Sequence, residues 1–557
     1  MGELAKILSL QNLNKLVVLI GSFLLFGLVF LLIWSSYRGF DFSDESYYHI
    51  GYLFHSEIDN SVIFFHRIYN SFFGFLKLTF AQNRVFGVIL TLFSSIFIAY
   101  SSAAYFEIKE KTQLALFTSI LGFIAHSIFP MSVSYNLFSA LFTSIIISLT
   151  FVYLKRNSIV YIALIGFFLS VLIANKFTNI SFALFFFPIV LLFDYFEEKR
   201  TIKFYFKSVL IASFGFVMAT FFLFHSIEEL KASLNGFVYG LSLSTGHSLT
   251  GMFERILSDI EGLIFSAKYL LPTFILMLIL KLKKDLPSYI NIGAVIIINI
   301  ILLIYLYKGF YGRTAIFSFY FFLILITSSI LFFFQKREEK SVRLIALYFV
   351  LMLVPFASSI GTNNSLFVQF TFYGNIFAVG LFLLFLKLQN YYLRYFLILI
   401  TLLISFLNIS YNKIYTPYRI DTNLLLQTEE VENIPYLKGL KVDSQTNQKI
   451  KQFLSLKKYN ATHLFLTSRQ LGISLITDKE PLLFTWVDES SFHLIPQLME
   501  QKPALLFDEL LIVIPSSSAK MITNQLLKVN KLNFKGNYQL LEKISSENDT
   551  LLIYGKF

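Results

Sequence analysis

Two adjacent carboxylates, Asp44 and Glu45, lie in a short aromatic-rich stretch that runs from Phe40 to His49. The stretch follows a long apolar block that ends near Trp34. Carboxylates at a membrane surface are costly to desolvate and neighbouring ones repel each other, so a purely structural role would require nearby cations. A catalytic role would use one of them as a base that takes a proton from an acceptor hydroxyl. Chemistry alone favours neither catalysis nor a solvated loop.

The composition excludes most soluble proteins as the setting for these carboxylates. Of 557 residues, 56% are apolar and only 14% are charged, whereas soluble chains carry roughly 25% charged residues. The apolar residues cluster in blocks, which predicts a polytopic α-helical membrane protein with about 13 transmembrane helices. The predicted spans are 15–36, 82–105, 113–129, 136–154, 158–174, 178–195, 206–226, 268–281, 288–307, 313–334, 342–360, 366–387 and 393–410.

The basic residues predict the orientation of these spans. Alternate loops carry pairs or clusters of Lys and Arg, such as Lys155 and Arg156, and all of these loops fall on one side. The positive-inside rule places that side, and the N-terminus, in the cytoplasm. The net charge of +12 is thus a topology signal and does not indicate nucleic acid. The absence of cysteine excludes thiolate nucleophiles and Cys-ligated metals.

Two domains are predicted. Residues 1–410 form the membrane domain, with outer loops at 37–81 and 225–268; the second loop is either a lid or an ordered cap. Residues 411–557 are more polar, and short β-rich runs alternate there with helix-like stretches, which predicts a small extracytoplasmic α/β domain. We expect this domain to be a lid or a docking platform for an acceptor rather than a catalytic domain.

Several short motifs occur in order along the membrane domain. An Asp-Glu-x-x-Tyr pattern follows the first span, a His comes some twenty residues later, and two Asn-containing motifs flank the fourth and fifth spans. These are Asp44-Glu45-x-x-Tyr48, His66, Ser134-Tyr135-Asn136 and Asn175-Lys176-Phe177-Thr178. In motifs and layout the chain resembles the GT-C-fold glycosyltransferases, the membrane enzymes that include protein O-mannosyltransferases and aminoarabinose transferases.

The resemblance implies an inverting transfer of a sugar from a polyprenyl-phosphate donor to an acceptor at the outer face of the membrane. It makes Asp44 the base and Glu45 its neighbour, which orients the acceptor or Asp44, with Asp41 as the second choice. Tyr48, His66 and Asn136 are then candidates for substrate binding. The chain departs from the family after His66, where related enzymes often continue with Pro-Pro and this chain has Arg67-Ile68.

A polyprenyl phosphate leaves with negative charge, which needs a cation or a helix N-terminus nearby. Lys176 is the best candidate because it lies at the outer end of a span among apolar residues; the alternative is that its ammonium group reaches the interface. Lys308 and Arg313 flank a short outer turn and could contact the same phosphate or anchor the interface.

Uncharged side chains offer further contacts to a sugar. The amides of Asn363, Asn364 and Gln369 could bind sugar hydroxyls, although Gly-Asn turns are also common in loops. No spacing resembles a dedicated metal site. We therefore favour a mechanism without a metal or other cofactor over one in which His and acidic residues of the first loop hold a divalent metal.

Two other functions compete with this hypothesis. A transporter or flippase of lipid-linked saccharides would require ionisable groups at mid-membrane depth, and a polysaccharide polymerase would transfer to another glycan. The expected partners are a polyprenyl-linked donor, membrane lipid and a glycan, lipid or protein acceptor, with no nucleic acid. The composition suits a bacterial inner (plasma) membrane, in which the chain is multi-pass. No motif encodes the sugar or the acceptor.

Overall fold

The computed structural model of the protein is mainly helical, with a small sheet towards its C-terminal end. The structure describes residues 10–54, 63–129, 132–198, 201–243, 254, 256–261, 315–334, 339–358, 365–483, 487–489, 491–545 and 550–556. Within these residues, six helices are long and apolar enough to cross a membrane: Asn12–Ser36, Phe80–Tyr105, Tyr135–Arg156, Phe177–Phe196, Ile202–Phe224 and Tyr391–Tyr415. Membrane association therefore rests on these helices, whereas thirteen spans and their orientation stay predictions.

The helices of the first 415 residues agree well with the predicted spans where both can be compared. The spans 268–281 and 288–307 lie outside the described residues. The described helices are Leu10–Ser36, Asp44–Leu53, Phe65–Phe73, Phe80–Tyr105, Lys111–Gly122, Ala125–Ile128, Tyr135–Arg156, Ile159–Asn175, Ile180–Glu198, Ile202–Phe224, Ile227–Leu243, Ala315–Phe334, Glu339–Ala357, Leu366–Phe372, Gly374–Leu386 and Tyr391–Tyr415. The predicted outer loop 225–268 thus begins with a helix, and most of its remainder is outside the described residues.

Two predicted spans, 113–129 and 366–387, are each broken into two helices, and the prediction of continuous helices was wrong there. The first helix ends at Gly122 and the second break precedes Gly374. A β-carbon on Gly374 would overlap the backbone carbonyl of Leu121, and one on Gly122 would overlap the Ser95 hydroxyl. The breaks therefore coincide with close contacts at two glycines, with a backbone carbonyl at Gly374 and with a side-chain hydroxyl at Gly122, that leave no room for a β-carbon.

A second close contact joins the helices Ile159–Asn175 and Ile202–Phe224. Side chains at Gly166 and Gly215 would overlap the backbone carbonyls of Ala212 and Ala163, respectively. Small residues let apolar helices approach closely and gain van der Waals contact where no water drives them together. This pair forms the frame from which Lys176 projects at the end of the first helix.

The chain after residue 415 forms the small α/β unit that the sequence predicts. Strands β1 (Glu429–Glu430) and β2 (Lys441–Val442) are an antiparallel pair. Strands β3 (His463–Phe465), β4 (Glu480–Pro481), β5 (Leu510–Pro515), β6 (Tyr538–Ser545) and β7 (Thr550–Lys556) form a second sheet in the order β4-β3-β5-β7-β6. β3 is parallel to β4 and β5, and β7 is antiparallel to β5 and β6.

Strand β5 is apolar along its length because both faces of the sheet are covered. Leu511 and Val513 belong to one apolar cluster, and Ile512 and Ile514 belong to another on the opposite face. The helices Ser444–Leu454, Gly472–Thr477, Ile495–Glu500 and Ala519–Leu526 accompany the sheet. The unit therefore has its own layered core, as a small domain requires.

The sheet unit packs directly on the segment that follows the first long helix. The Gly39 amide donates to the Lys441 carbonyl at 2.8 Å, and the Gly472 amide donates to the Phe42 carbonyl at 2.8 Å. Phe40 is 3% exposed and lies in the same apolar cluster as Val513 of the sheet. The segment that carries the candidate carboxylates is thus fixed between the helix bundle and the sheet unit.

Candidate functional site

The helix Asp44–Leu53 begins with the candidate carboxylates Asp44 and Glu45. Asp41 lies three residues before this helix and caps its first turn. Asp41 Oδ1 accepts from the backbone amide of Ser43 at 2.8 Å and from the Ser43 hydroxyl at 2.7 Å, and Oδ2 accepts from the amide of Glu45 at 3.0 Å. These amides belong to the first turn, where backbone donors have no helical partner. Burial raises the pKa of Asp41 to about 6. Asp41 thus accepts three local hydrogen bonds, in the manner of a carboxylate that caps a helix.

Glu45 lies in a buried ion pair with Arg84 from the next long helix. Arg84 donates from Nε to Oε1 at 2.7 Å and from Nη2 to Oε2 at 2.5 Å. Its other donor reaches the carbonyls of Ser36 and Arg38. Burial alone would raise the pKa of Glu45, but the Arg84 guanidinium outweighs burial and holds the pKa below its ordinary value. Glu45 therefore joins the carboxylate helix to the end of the first long helix.

A chain of hydrogen bonds leads from Glu45 to the sheet unit. The Ser132 hydroxyl donates to Glu45 Oε1 at 2.5 Å, so it can only accept from the ring of His49, whose Nε2 lies 2.8 Å away. Nδ1 of His49 is then the acceptor for the Tyr436 hydroxyl at 2.5 Å. Burial lowers the pKa of His49 to about 3, and the neutral ring is the form this chain requires. These hydrogen bonds position Glu45, and Ser132 and Arg84 together occupy both of its oxygens.

Asp44 contacts different residues from Glu45, and its side chain is partly exposed to solvent. Its side chain is 20% exposed, whereas that of Glu45 is 1% exposed. The Tyr418 hydroxyl donates to Oδ2 at 2.5 Å, and Arg419 Nη1 lies 3.2 Å from Oδ1. Burial raises the pKa of Asp44, while the Tyr418 hydroxyl and the Arg419 charge oppose the rise. Asp44 is thus a fixed, partly exposed carboxylate.

An aromatic row runs from Asp44 to a buried lysine. Tyr48 follows Asp44 by one helical turn and so shares its face of the helix, and burial together with the charges of Tyr135 and Asp44 raises the pKa of Tyr48. The rings of Tyr48 and Tyr135 are 5.9 Å apart, and Lys176 Nζ lies 5.5 Å from the Tyr135 ring centroid. We call Asp44, Tyr48, Tyr135 and Lys176 the tyrosine row.

Lys176 is the cation of the tyrosine row. It lies between the helix Ile159–Asn175 and the turn Phe177–Asn179, and only 9% of its surface is exposed. Burial lowers the pKa of Lys176 to about 7. A buried cation is costly unless it has a partner of opposite charge. Among the described residues no carboxylate lies within ion-pair distance of Lys176, so an anionic ligand would relieve this cost.

The other predicted site residues are not members of the tyrosine row, although Asn136 hydrogen-bonds Tyr135 of the row. Four of them lie outside the described residues. His66 is fully buried, with its ring 5.8 Å from that of Phe65. Asn136 is 4% exposed at the start of its helix, and Gln369 is fully buried in the bundle. Lys308, Arg313, Asn363 and Asn364 lie outside the described residues, and their proposed contacts stay predictions.

Sequence reasoning missed most of the partners of the carboxylates. Arg84, Ser132, Tyr418 and Arg419 all contact Asp44 or Glu45 directly. The signal available for Arg84 was a lone cation inside an apolar span, which is costly without a partner. Lys413 lies beyond the predicted span 393–410, and the sequence does not mark it. It is 7% exposed and lines a cavity of about 20 Å³ with Glu45 and Arg84.

The arrangement supplies two elements of a transfer reaction. A partly exposed carboxylate can accept a proton, and a buried cation can stabilise a developing negative charge. Within the described residues, no three His, Asp or Glu side chains gather in a geometry that could hold a metal ion. No protein-family model matches the chain, and no curated protein is recognisably similar to it in sequence. The function must therefore be argued from the site.

Proposed function

We propose that this protein is an inverting membrane glycosyltransferase that moves a sugar from a polyprenyl-phosphate donor to an acceptor in cell-envelope glycan, glycolipid or glycoprotein synthesis. The observation that carries the proposal is the tyrosine row, which connects a partly exposed carboxylate at Asp44 with a buried cation at Lys176. This cation has no ion-pair partner in the part of the chain that the structure describes. The sequence motifs that resemble GT-C enzymes include both ends of this row.

Asp44 is the proposed base. It takes the proton from the acceptor nucleophile as the oxygen of that nucleophile attacks the anomeric carbon and the bond from this carbon to the phosphate oxygen breaks. A base works best when its pKa is close to the working pH, and burial moves the pKa of Asp44 upward in that direction. Arg419 and Tyr418 hold both carboxylate oxygens, which fixes the direction from which the acceptor approaches.

Lys176 is the proposed contact for the phosphate that leaves. The ammonium group lies against the Tyr135 ring, and its lowered pKa reflects the cost of charge in a buried setting. A phosphate at this position restores the protonated form and gains a charge-assisted hydrogen bond. The tyrosines between the two ends provide apolar ring faces and hydroxyls, which suit a sugar.

Glu45 and Asp41 are positioning residues in this proposal. Glu45 holds the helix through Arg84, and Asp41 caps it. Asp41 and Glu45 are 2% and 1% exposed, so neither carboxylate is accessible to an acceptor. This narrows the pair of catalytic carboxylates that the sequence predicts to Asp44 alone.

The proposal includes a topology. The basic loops lie in the cytoplasm, thirteen spans cross a plasma membrane, and the sheet unit stands on the outer side, where it packs on the segment that carries Asp44. This topology is supported by the positive-inside rule and by the contacts between the sheet unit and the segment around Gly39. Cysteines introduced at Lys155 and Lys438 should then react with an impermeant thiol reagent from opposite sides of sealed vesicles.

The test of the proposed base uses the purified full chain in lipid nanodiscs. A panel of polyprenyl-phosphate monosaccharides is supplied with an envelope extract as acceptor, and released polyprenyl phosphate is measured. Asp44→Asn should lower turnover by about 10²- to 10⁴-fold, while the exposed control Asp421→Asn should leave it unchanged. Undiminished turnover in a folded Asp44→Asn sample would remove Asp44 from the mechanism. Movement of the lipid across vesicles without acceptor would instead favour a flippase.

A further inference from the structure

The sheet unit contains a crevice at the carboxyl ends of two parallel strands, and none of the residues of the tyrosine row lines it. Strand β4 lies on one side of β3, and β5 lies on the other. The chain therefore leaves β3 and β5 in opposite directions, and such a switch point opens a crevice in which α/β proteins commonly bind ligands. A cavity of about 600 Å³ lies there, which is within the range of small-molecule sites.

The crevice is formed by the two loops that this rule identifies. The turn after β3 contributes Thr467 to Gln470, and the chain after β5 contributes Ser517 and Ser518, which precede the helix Ala519–Leu526. Phe42, from the segment that carries Asp44, forms part of the wall. The site therefore has polar groups from both loops and one aromatic side chain from the membrane domain.

Gln470 is the observation that points to a ligand. Its side chain is buried, with 8% of the residue exposed, and it lines the crevice. The amide oxygen Oε1 has no hydrogen-bond partner within the part of the chain that the structure describes. A buried polar group without a partner carries a desolvation cost of the size of a lost hydrogen bond. A ligand group in the crevice would remove this cost.

The chemistry of the walls selects the class of ligand. The cations Lys449 and Arg469 are balanced by Asp488 and Glu489, so the crevice carries no net charge. An amide offers both a donor and an acceptor, and a hydroxyl can satisfy either one, whereas an ionised phosphate or carboxylate can only accept. A ligand with many hydroxyls and no net charge fits these walls better than an anion.

We propose that this crevice binds a neutral saccharide, with the Gln470 amide as the central hydrogen-bonding group. The inference rests on the sheet unit and its lining, not on the proposed transferase activity. It gives the sheet unit a ligand of its own. Because Phe42 is a wall of the crevice and lies two residues before Asp44, a saccharide bound there would sit next to the segment that holds the carboxylate helix.

The experiment measures binding of maltotriose, mannotriose and chitotriose to the full chain in nanodiscs by saturation-transfer NMR and calorimetry. At least one trisaccharide should bind the unaltered protein. Gln470→Leu should weaken that binding by about tenfold, as expected for a lost buried hydrogen bond. The exposed control Gln539→Leu should not change it. Because Gln470 is buried, Ser517→Trp is a second variant: Ser517 is exposed at the rim, and an indole there fills the crevice without altering the core.

The outcomes separate this inference from the proposed function. Asp44→Asn should bind the trisaccharide as the unaltered protein does, and the inference stands even if no sugar transfer is found. Absence of binding for all three trisaccharides overturns it. Binding that survives both Gln470→Leu and Ser517→Trp also overturns it, because the ligand would then lie elsewhere. Binding of inorganic phosphate that depends on Gln470 would show an anion site instead, and would likewise contradict it.

Discussion

The guanidinium of Arg84 and the carboxylate of Glu45 form a two-point ion pair in which the side chains are only 4% and 1% exposed. Arg84 also donates to the carbonyls of Ser36 and Arg38 at the end of the first long helix. One side chain therefore connects three elements around Asp44. Its role is to hold the carboxylate helix in place, and the consequence for stability can be measured.

We predict that Arg84→Met lowers the free energy of unfolding by about 3–5 kcal/mol, because it leaves Glu45 as an uncompensated buried charge. The double variant with Glu45→Leu should recover much of this loss, since an apolar pair carries no such charge. Denaturant titration of the detergent-solubilised protein gives the free energies of unfolding.

The matched control is the ion pair of Arg67 and Glu229, whose side chains are 25% and 32% exposed. Arg67→Met should lower the free energy of unfolding by about 1 kcal/mol or less. Equal losses at the two pairs would contradict the prediction.

We also predict that Tyr418→Phe moves the acidic limb of the transfer activity to higher pH by about one unit. Asp44 acts as a base only when ionised, so activity falls as the pH drops through its pKa. The Tyr418 hydroxyl donates to the ionised form and so opposes the rise in pKa that burial causes. Removing the hydroxyl lets the pKa rise further. The measurement is kcat/KM against pH.

The control for this profile is Tyr415→Phe, because Tyr415 is 52% exposed and packs against Tyr411. The acidic limb of the kcat/KM profile of Tyr415→Phe should coincide with that of the unaltered protein. A Tyr418→Phe limb that stays in place, with kcat reduced at every pH, would mean that Tyr418 positions the acceptor rather than tuning Asp44.

The sequence predicts the elements well where one local pattern decides them. One of the short β-rich runs after residue 410 forms strand β5, Leu510–Pro515, because a short apolar run with β-branched residues has no competing helical period. The long spans follow from apolar length alone. The two breaks at Gly122 and Gly374 were missed, since the close contacts at these glycines come from other helices and not from the residues around them.

The same difference between local patterns and contacts from distant parts of the chain explains which residues of the candidate site the sequence predicts. Asp44 and Lys176 were predicted because a carboxylate or a cation among apolar residues is conspicuous in a sequence. Tyr418 and Arg419 were not, because they lie in a polar segment more than 370 residues from Asp44 and nothing local marks them. The roles of Asp44 and Glu45 separate only when burial is known, since the two residues are adjacent and chemically alike.

We predict that the affinity for a polyprenyl phosphate falls by about tenfold or more between pH 6.5 and pH 8.5. In the free protein the pKa of Lys176 is about 7, so at the higher pH the lysine must regain a proton before it can pair with the phosphate. The phosphate itself becomes more negative over this range, which would strengthen binding to any other cation. Quenching of tryptophan fluorescence or calorimetry in nanodiscs measures the affinity.

Lys176→Met should weaken binding at pH 6.5 and remove the fall at higher pH. The control Lys438→Met, at an exposed position of the sheet unit, should retain both the affinity and its dependence on pH. If the fall persists in Lys176→Met, the titrating group is another residue and Lys176 does not contact the phosphate.

The last prediction concerns the contact that docks the sheet unit on the carboxylate segment. A β-carbon on Gly472 would lie 2.8 Å from the Phe40 ring and 2.9 Å from the Phe42 ring, closer than van der Waals contact allows. Because the Gly472 amide also donates to the Phe42 carbonyl, the two backbones cannot separate without losing that bond. Gly472→Ala should therefore cost about 1–3 kcal/mol, the usual range for overpacking, and should also lower transfer activity, since the displaced segment carries Asp44.

The control for this prediction is Gly27→Ala. A β-carbon on Gly27 would meet the Phe406 ring at 3.5 Å, which is an ordinary contact, so both stability and activity should be retained. A Gly472→Ala protein that is destabilised yet fully active would show that docking of the sheet unit does not position Asp44.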